Sequence, residues 1–208
     1  MSSQYILSYT AASLSFYESE IIANLFLETG DWQYIETKVL EENILQKSSI
    51  STRARKFREL KRRLETLTSE QLAFYAHATS SDVKNLTMLS CFKLYQFIFD
   101  FASTVIRNKL LLFDFQILNS DYESFYESKA LSYENLNTVS EGTQYKLKQV
   151  IFKMLEQAEL IDSAKTKIIQ KPYLSEELIK LIINDDAKYL RGFLYSDGEI
   201  NDAIKRYA

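Results

Sequence analysis

The sequence is poor in the residues that break helices. Among its 208 residues there are four glycines, one proline and one cysteine. Sandwiches and barrels of β-strands need many glycine and proline positions in their turns, so this scarcity argues against them and favours helices. A single cysteine forms no internal disulfide, which is typical of a reducing compartment and predicts a cytoplasmic protein.

The residues that build most active sites are equally scarce. A zinc site needs three or four Cys and His ligands, or two histidines with a carboxylate, and the chain has only Cys91 and His77. A catalytic triad would have to use His77, which lies near the end of a short helical pattern where a surface position is more common. No glycine-rich phosphate loop occurs. The sequence predicts a non-enzymatic protein with no metal and no cofactor, and a carboxylate-only active site stays open as a minor alternative.

Long uncharged apolar runs are also missing. The most apolar region, residues 86–115, is interrupted by five charged side chains, and a membrane-spanning helix needs about 20 predominantly apolar residues. Residues 1–17 lack the basic start of a signal peptide. We therefore predict a buried helix in this region and no contact with a membrane.

Signals that start and stop helices recur along the chain. Ser15-x-x-Glu18 and Thr68-x-x-Gln71 read as capping boxes, Gly30 as a helix end and Asp31 as a cap. The pattern predicts a compact all-α protein with many helices and helix-turn-helix elements. The extended stretch 167–173 leaves room for one small β wing. The polar junction at 119–120 divides the chain into an N-terminal helical half, 1–118, and a winged-helix-like C-terminal half, 119–208.

Positive charge is concentrated in one predicted helix. Residues 1–50 sum to −5 and residues 51–110 to +6, and seven basic side chains fall within residues 53–63. At 100° per residue, an apolar stripe faces the core and Arg55, Arg58 and Arg62 fall on the opposite face. The remaining basic candidates for DNA binding are Arg53, Lys56, Lys61 and Arg63.

With the preceding helix and a polar turn, this segment predicts a helix-turn-helix whose guanidinium groups reach phosphates. The alternative is a solvated basic face that pairs with the acidic residues of 1–50.

A second candidate segment runs from residue 140 to residue 173. An apolar stripe from Leu147 to Ala158 predicts an amphipathic helix, and a short basic hairpin follows it, which together resemble a winged helix. Gln149 could read adenine, while lysines hold phosphates. The DNA-binding candidates here are Thr143, Tyr145, Lys146, Gln149 and Lys153 on the helix, and Lys165 and Lys167 on the wing. An ordinary amphipathic helix followed by a loop is the alternative, since Glu156, Glu159 and Asp162 weaken the positive potential.

Several blocks of the sequence resemble the BrxA family, a core protein of the BREX bacteriophage-exclusion defence systems. The blocks are Tyr9-Thr10-Ala11-Ala12-Ser13-Leu14, Gly30-Asp31-Trp32, Val39-Leu40-Glu41-Glu42-Asn43, residues 51–64, Asp100-Phe101-Ala102 and residues 146–155. Their order and spacing carry the resemblance, which covers most of the chain.

The resemblance implies an all-helical monomer with helix-turn-helix elements that binds double-stranded DNA. It also implies that the protein works beside a DNA methyltransferase and an ATPase of the same system, and it supplies no catalytic residues. A protein–protein adaptor whose basic helix docks on an acidic partner, with only incidental DNA binding, is the alternative from another class.

Overall fold

The computed structural model describes residues 4–11 and 13–207, and these residues form an all-α fold, as predicted. The α-helices are α1 (Phe16–Thr29), α2 (Trp32–Glu41), α3 (Ile50–Leu64), α4 (Ser69–Phe74), α5 (Ser80–Leu94), α6 (Gln96–Asp100), α7 (Arg107–Leu111), α8 (Asn119–Ala130), α9 (Glu134–Asn137), α10 (Glu141–Gln157), α11 (Glu176–Asp186) and α12 (Asp197–Tyr207). Short 3₁₀ turns lie at Ser8–Ala11 and Ala187–Arg191.

Helix α5 lies at the centre of the N-terminal helices. It is buried on nearly all sides, as expected of a helix without a continuous polar face. Its buried polar groups are satisfied: the Asn85 side chain donates to the Tyr173 carbonyl at 2.8 Å, and Thr87 donates to the Val83 carbonyl at 2.7 Å. Helices α1 and α3 pack against α5, and α2 packs against α3.

The long apolar stretch does not form one helix. The chain bends by 110° between Ser80–Leu94 and Gln96–Leu111, and the second part contains a π-helical segment, Phe101–Ile106, between α6 and α7. Among the described residues, no single helix has the length and apolar character needed to cross a membrane. The two parts of this bent pair have the required length and composition only when they are taken together. Much of the stretch is buried, as the sequence predicted.

The β structure found in the described residues is limited to two isolated antiparallel bridges. Gln116 pairs with Ile168, and Ile161 pairs with Ile169. The segment 160–162 after α10 thus lies beside 168–170, and the segment 115–117 before α8 lies on the other side of 168–170. The small β element allowed for by the sequence therefore has three short segments rather than the two of a simple hairpin.

Local capping predictions have mixed outcomes. Asp31 caps α2, Thr68 and Gln71 form the capping box of α4, and Gly30 ends α1 with φ +65°. The Ser15 capping box is wrong, because Ser15 has φ 61° and its side chain makes no cap hydrogen bond. Its hydroxyl instead contacts Lys56 and the Ser13 carbonyl.

Candidate nucleic-acid interface

Helix α3 is held in place by its buried apolar stripe and by a cap at its N-terminus. Phe57, Leu60 and Leu64 are fully or almost fully buried, as predicted. The Ser49 hydroxyl caps the first turn by accepting from the Thr52 amide at 3.2 Å. These contacts fix the rotation of the helix about its axis, and therefore determine which of its basic side chains face outward.

Three arginines, which we call the basic face, point outward from α3. Arg55, Arg58 and Arg62 are all exposed. Arg58 donates to the Ala54 carbonyl of its own helix at 3.3 Å, and Arg62 donates to the Ser8 hydroxyl at 3.1 Å. None of the three forms an ion pair with a carboxylate of the described residues. The alternative in which acidic residues of 1–50 neutralise this face is therefore not seen for these three side chains.

Arg63 requires a correction to the predicted set of DNA contacts. Its side chain is 0% exposed and its Nε donates to the Glu59 carboxylate at 2.8 Å. Its Nη1 donates to the carbonyls of Ser13, at 2.9 Å, and Leu14, at 3.1 Å, while the Tyr95 hydroxyl donates to the same Glu59 oxygen. Burial opposes the charge of Arg63, but the neighbouring Cys91, Tyr95 and Glu59 outweigh it and raise its pKa. Arg63 therefore holds the core together and cannot reach a duplex.

Three other basic residues of α3 also have partners inside the protein. Arg53 donates to the carbonyls of Leu40, at 2.7 Å, and Lys47, at 3.2 Å, and so joins α2 to α3. Lys56 is mostly buried, contacts Ser15 and lies 3.6 Å from the Glu18 carboxylate. Burial lowers the pKa of Lys56. The Lys61 ammonium lies over the Trp32 ring, 5.3 Å from its centre, and 3.7 Å from Glu65.

The connection between α2 and α3 is longer than the predicted turn. It covers residues 42–49, whereas a DNA-binding helix-turn-helix has a turn of three or four residues. The polar segment at 46–49 therefore belongs to a loop. Arg53 of α3 donates to the Lys47 carbonyl within this loop and to the Leu40 carbonyl of α2, and these bonds join the two helices.

Helix α10 presents the predicted outer side to solvent. Thr143, Tyr145, Lys146, Gln149 and Lys153 are all exposed, and Tyr145 is 64% exposed. Lys153 pairs with Glu156 at 2.7 Å. The opposite stripe is buried, and the Phe152 ring packs against Phe101 and Tyr122. Acidic residues lie near this helix, and some are neutralised by ion pairs: Glu123 pairs with Lys148 at 2.9 Å.

The loop of residues 163–167, which we call the wing, carries the last two candidates. Lys165 is exposed. Lys167 has φ 55°, donates to the Asn119 side chain at 3.3 Å and lies over the Phe152 ring. Lys167 is thus held against the protein, and Lys165 is the more available of the two.

Asp162 orders the wing through hydrogen bonds to its carboxylate. It accepts from the Thr166 hydroxyl at 2.6 Å and from the amides of Ile168, at 2.8 Å, and Ser163, at 2.6 Å. The Thr166 hydroxyl is the main reason why the pKa of Asp162 lies below its ordinary value of 3.8. Since a carboxylate with a lowered pKa stabilises the folded state only while it is ionised, this contribution is present above pH 3.8 and is lost as the pH falls through the folded pKa.

We expect Asp162→Ala to speed amide exchange at Ile168, with little change in the rest of the protein, because the wing loses the acceptor that organises it. Hydrogen–deuterium exchange measured residue by residue checks this. Asp202→Ala, which removes an exposed carboxylate from α12, is the matched control. Equal exchange at Ile168 in the two variants would show that Asp162 does not order the wing.

Two features of this region had not been predicted from the sequence. The first is the segment 115–117, which is bonded to the end of the wing: the Ile117 amide donates to the Lys167 carbonyl at 3.0 Å. Its alternation of Phe113, Phe115 and Ile117 with polar residues is the strand signal that could have revealed it. The described residues between 4 and 15, which we call the N-terminal strap, contact both α3 and α10, and no local pattern predicts those contacts.

The described residues thus define an all-α protein that presents an arginine face on α3 and a lysine-bearing helix followed by a β-supported loop. The chain belongs to the BrxA family, whose model matches residues 3–186.

Relatives of known name agree with this membership. The chain is 24% identical over 149 residues to "BREX protein BrxA" of Bacillus cereus (strain H3081.97), covering 71% of this chain and 74% of that protein. It is 24% identical over 160 residues to "BREX protein BrxA" of Escherichia coli O9:H4 (strain HS), covering 77% and 75%. A crystal structure of an uncharacterized protein from Magnetospirillum magneticum has the same fold, with a TM-score of 0.80, 20% identity and coverage of 92% of this chain and 98% of that one.

Proposed function

We propose that this protein is a non-enzymatic, double-stranded-DNA-binding component of a BREX phage-defence system. It acts in the cytoplasm as a monomer, without a cofactor, beside the methyltransferase and ATPase of the system. The observation that carries the proposal is the basic face: three exposed arginines on one side of a helix whose other side is anchored in the core. Guanidinium groups in this state are available to neutralise phosphates and release counterions.

Helix α10 and the wing are the second DNA contact in this proposal. The order along the chain is helix α7, segment 115–117, helix α8, the one-turn helix α9, helix α10, segment 160–162, wing and segment 168–170. This order, with 168–170 in the middle of the three segments, resembles the connectivity of a winged helix. The proposed winged-helix-like unit then starts at α7, before the boundary at residue 119 that the sequence predicted. The exposed Lys146 and Gln149 are placed on the helix that would face the DNA.

The division of labour follows from the charges. The basic face has no carboxylate partner among the described residues, whereas Lys153 on α10 is paired with Glu156. The basic face therefore provides most of the affinity, which is sequence-tolerant because phosphates carry no base information. Any preference for a DNA sequence comes from α10, through the Gln149 side chain.

A second candidate function is contact with another BREX protein. The turn after α7 exposes Leu112, at 78%, and Phe113, at 81%, and the Phe113 backbone has φ 59°. Large apolar side chains exposed side by side are typical of interaction surfaces. This surface shares no residue with the basic face, so an adaptor role and DNA binding are compatible in one molecule.

The proposal is tested by titrating a fluorescent duplex with the protein at two salt concentrations. We expect binding that weakens steeply between about 50 mM and 200 mM salt, because each phosphate contact adds about 0.9 to the slope of log K against log salt. Binding that is absent at the lower salt concentration would contradict the proposal. A partner retained in a pull-down by a protein that lacks the basic face would favour the adaptor.

A further inference from the structure

The N-terminal strap packs against α10. Ahead of that helix, the side chain of Asn135 in α9 donates to the Tyr5 carbonyl at 2.9 Å and accepts from the Tyr5 amide at 3.4 Å. At the other end, the Leu14 amide donates to the side-chain oxygen of Gln157, the last residue of α10, at 2.9 Å. The strap is therefore bonded to α9, which precedes α10, and to the last residue of α10, the helix that carries the second candidate DNA contact.

The same strap contacts α3 on its other side. Arg62 of the basic face donates to the Ser8 hydroxyl at 3.1 Å, and the buried Arg63 donates to the carbonyls of Ser13 and Leu14. Lys56, about two turns earlier, contacts the Ser15 hydroxyl. The strap therefore separates α3 from α10 and is bonded to both.

One residue joins the two helices directly. Leu14 is completely buried, its N–H bonds to Gln157 of α10, and its C=O accepts from Arg63 of α3. We propose that this bridge makes α3 and α10 a single composite DNA site, in which one duplex contacts the basic face and the outer side of α10 at the same time. Gln157 is then a positioning residue. This inference rests on the proposed function and adds to it how the two helices are held.

The dimensions of the bridge set the length of duplex that is needed. Packed elements lie about 10 Å apart, so two helices with an extended segment between them have axes about 20 Å apart. A turn of B-DNA spans about 34 Å and 10.5 base pairs, so this separation corresponds to about six base pairs along the duplex. Each helix also contacts a few base pairs on either side of its own axis, so a duplex of about 8 base pairs is too short to engage both helices fully, whereas one of about 20 base pairs engages both.

The test compares affinity for duplexes of about 8 and 20 base pairs, corrected for the number of overlapping positions on each. We expect the wild-type protein to bind the longer duplex about tenfold more tightly per position, because the lysines of α10 add phosphate contacts. Gln157→Met removes the acceptor for the Leu14 amide and should abolish most of this gain while leaving the affinity for the short duplex unchanged. Gln157→Glu keeps an acceptor oxygen at the same place and should lose less of the gain than Gln157→Met, although its negative charge disfavours DNA.

The control is Gln33→Met on the exposed side of α2, which should behave as wild type. A general loss of folded protein would lower the affinity for both duplexes equally, so it is distinguishable from a loss of positioning. An unchanged ratio in Gln157→Met, or binding of two duplexes by one wild-type molecule, would overturn the composite site. No binding of either duplex would instead mean that the proposed function itself is wrong.

Discussion

Replacing Arg55, Arg58 and Arg62 together by alanine is expected to weaken binding to duplex DNA by about two orders of magnitude at 0.1 M salt. The reason is that each lost phosphate contact removes one released counterion from the binding equilibrium. The free energy of unfolding should change little, because the three side chains are exposed and their removal leaves no buried group unpaired. Fluorescence anisotropy with a labelled duplex gives the affinity, and thermal unfolding gives the stability.

The control for this triple variant removes three other exposed charges. Lys180→Ala, Arg191→Ala and Lys205→Ala lie on α11, α12 and the turn between them, and together they lower the net charge by the same amount. If overall charge governs binding, the two triple variants weaken it equally. If the basic face binds the duplex, only the first does so.

Arg63→Ala is expected to have the largest effect on stability, a loss of about 3–5 kcal/mol in the free energy of unfolding. It leaves the Glu59 carboxylate, which is 5% exposed, buried without its arginine, and removes the donor to the carbonyls of Ser13 and Leu14. Breaking one side of a buried ion pair costs this much because an uncompensated charge stays in the interior. Chemical denaturation with urea measures it.

Arg62→Ala, at the neighbouring position, is the matched control for Arg63→Ala and should change stability by less than about 0.5 kcal/mol. The two variants should therefore change different properties: Arg63→Ala lowers the free energy of unfolding, while Arg62→Ala lowers DNA affinity. Equal denaturation midpoints for the two variants would contradict the structural role of Arg63.

The periodicity of α3 was sufficient to predict which arginines are exposed but not what the flanking residues do. On a helical wheel, Arg63 lies about 60° from Leu60 and Lys56 lies about 40° from it, so both are closer to the apolar stripe than to the basic face. Whether such a residue is buried depends on a partner from elsewhere in the chain. For Arg63 that partner includes two carbonyls some 50 residues earlier, and no pattern within α3 indicates them.

Two local capping signals were confirmed, whereas the Ser15 capping box was wrong. The Thr68 and Gln71 box and the Asp31 cap involve residues within three positions of each other, so the sequence contains all the information they need. The bend at Tyr95 has neither glycine nor proline to mark it. The bridge at Leu14 depends on α3 and α10 meeting in the folded protein, and only the structure reveals it.

The salt dependence of DNA binding by the wild-type protein and by the Arg55, Arg58 and Arg62 triple-alanine variant is the most direct test of the basic face. We expect the slope of log K against log salt to be shallower in the variant by about 2.7, or about 0.9 for each of three phosphate contacts. Identical slopes and affinities for the two proteins would show that the duplex is held somewhere else.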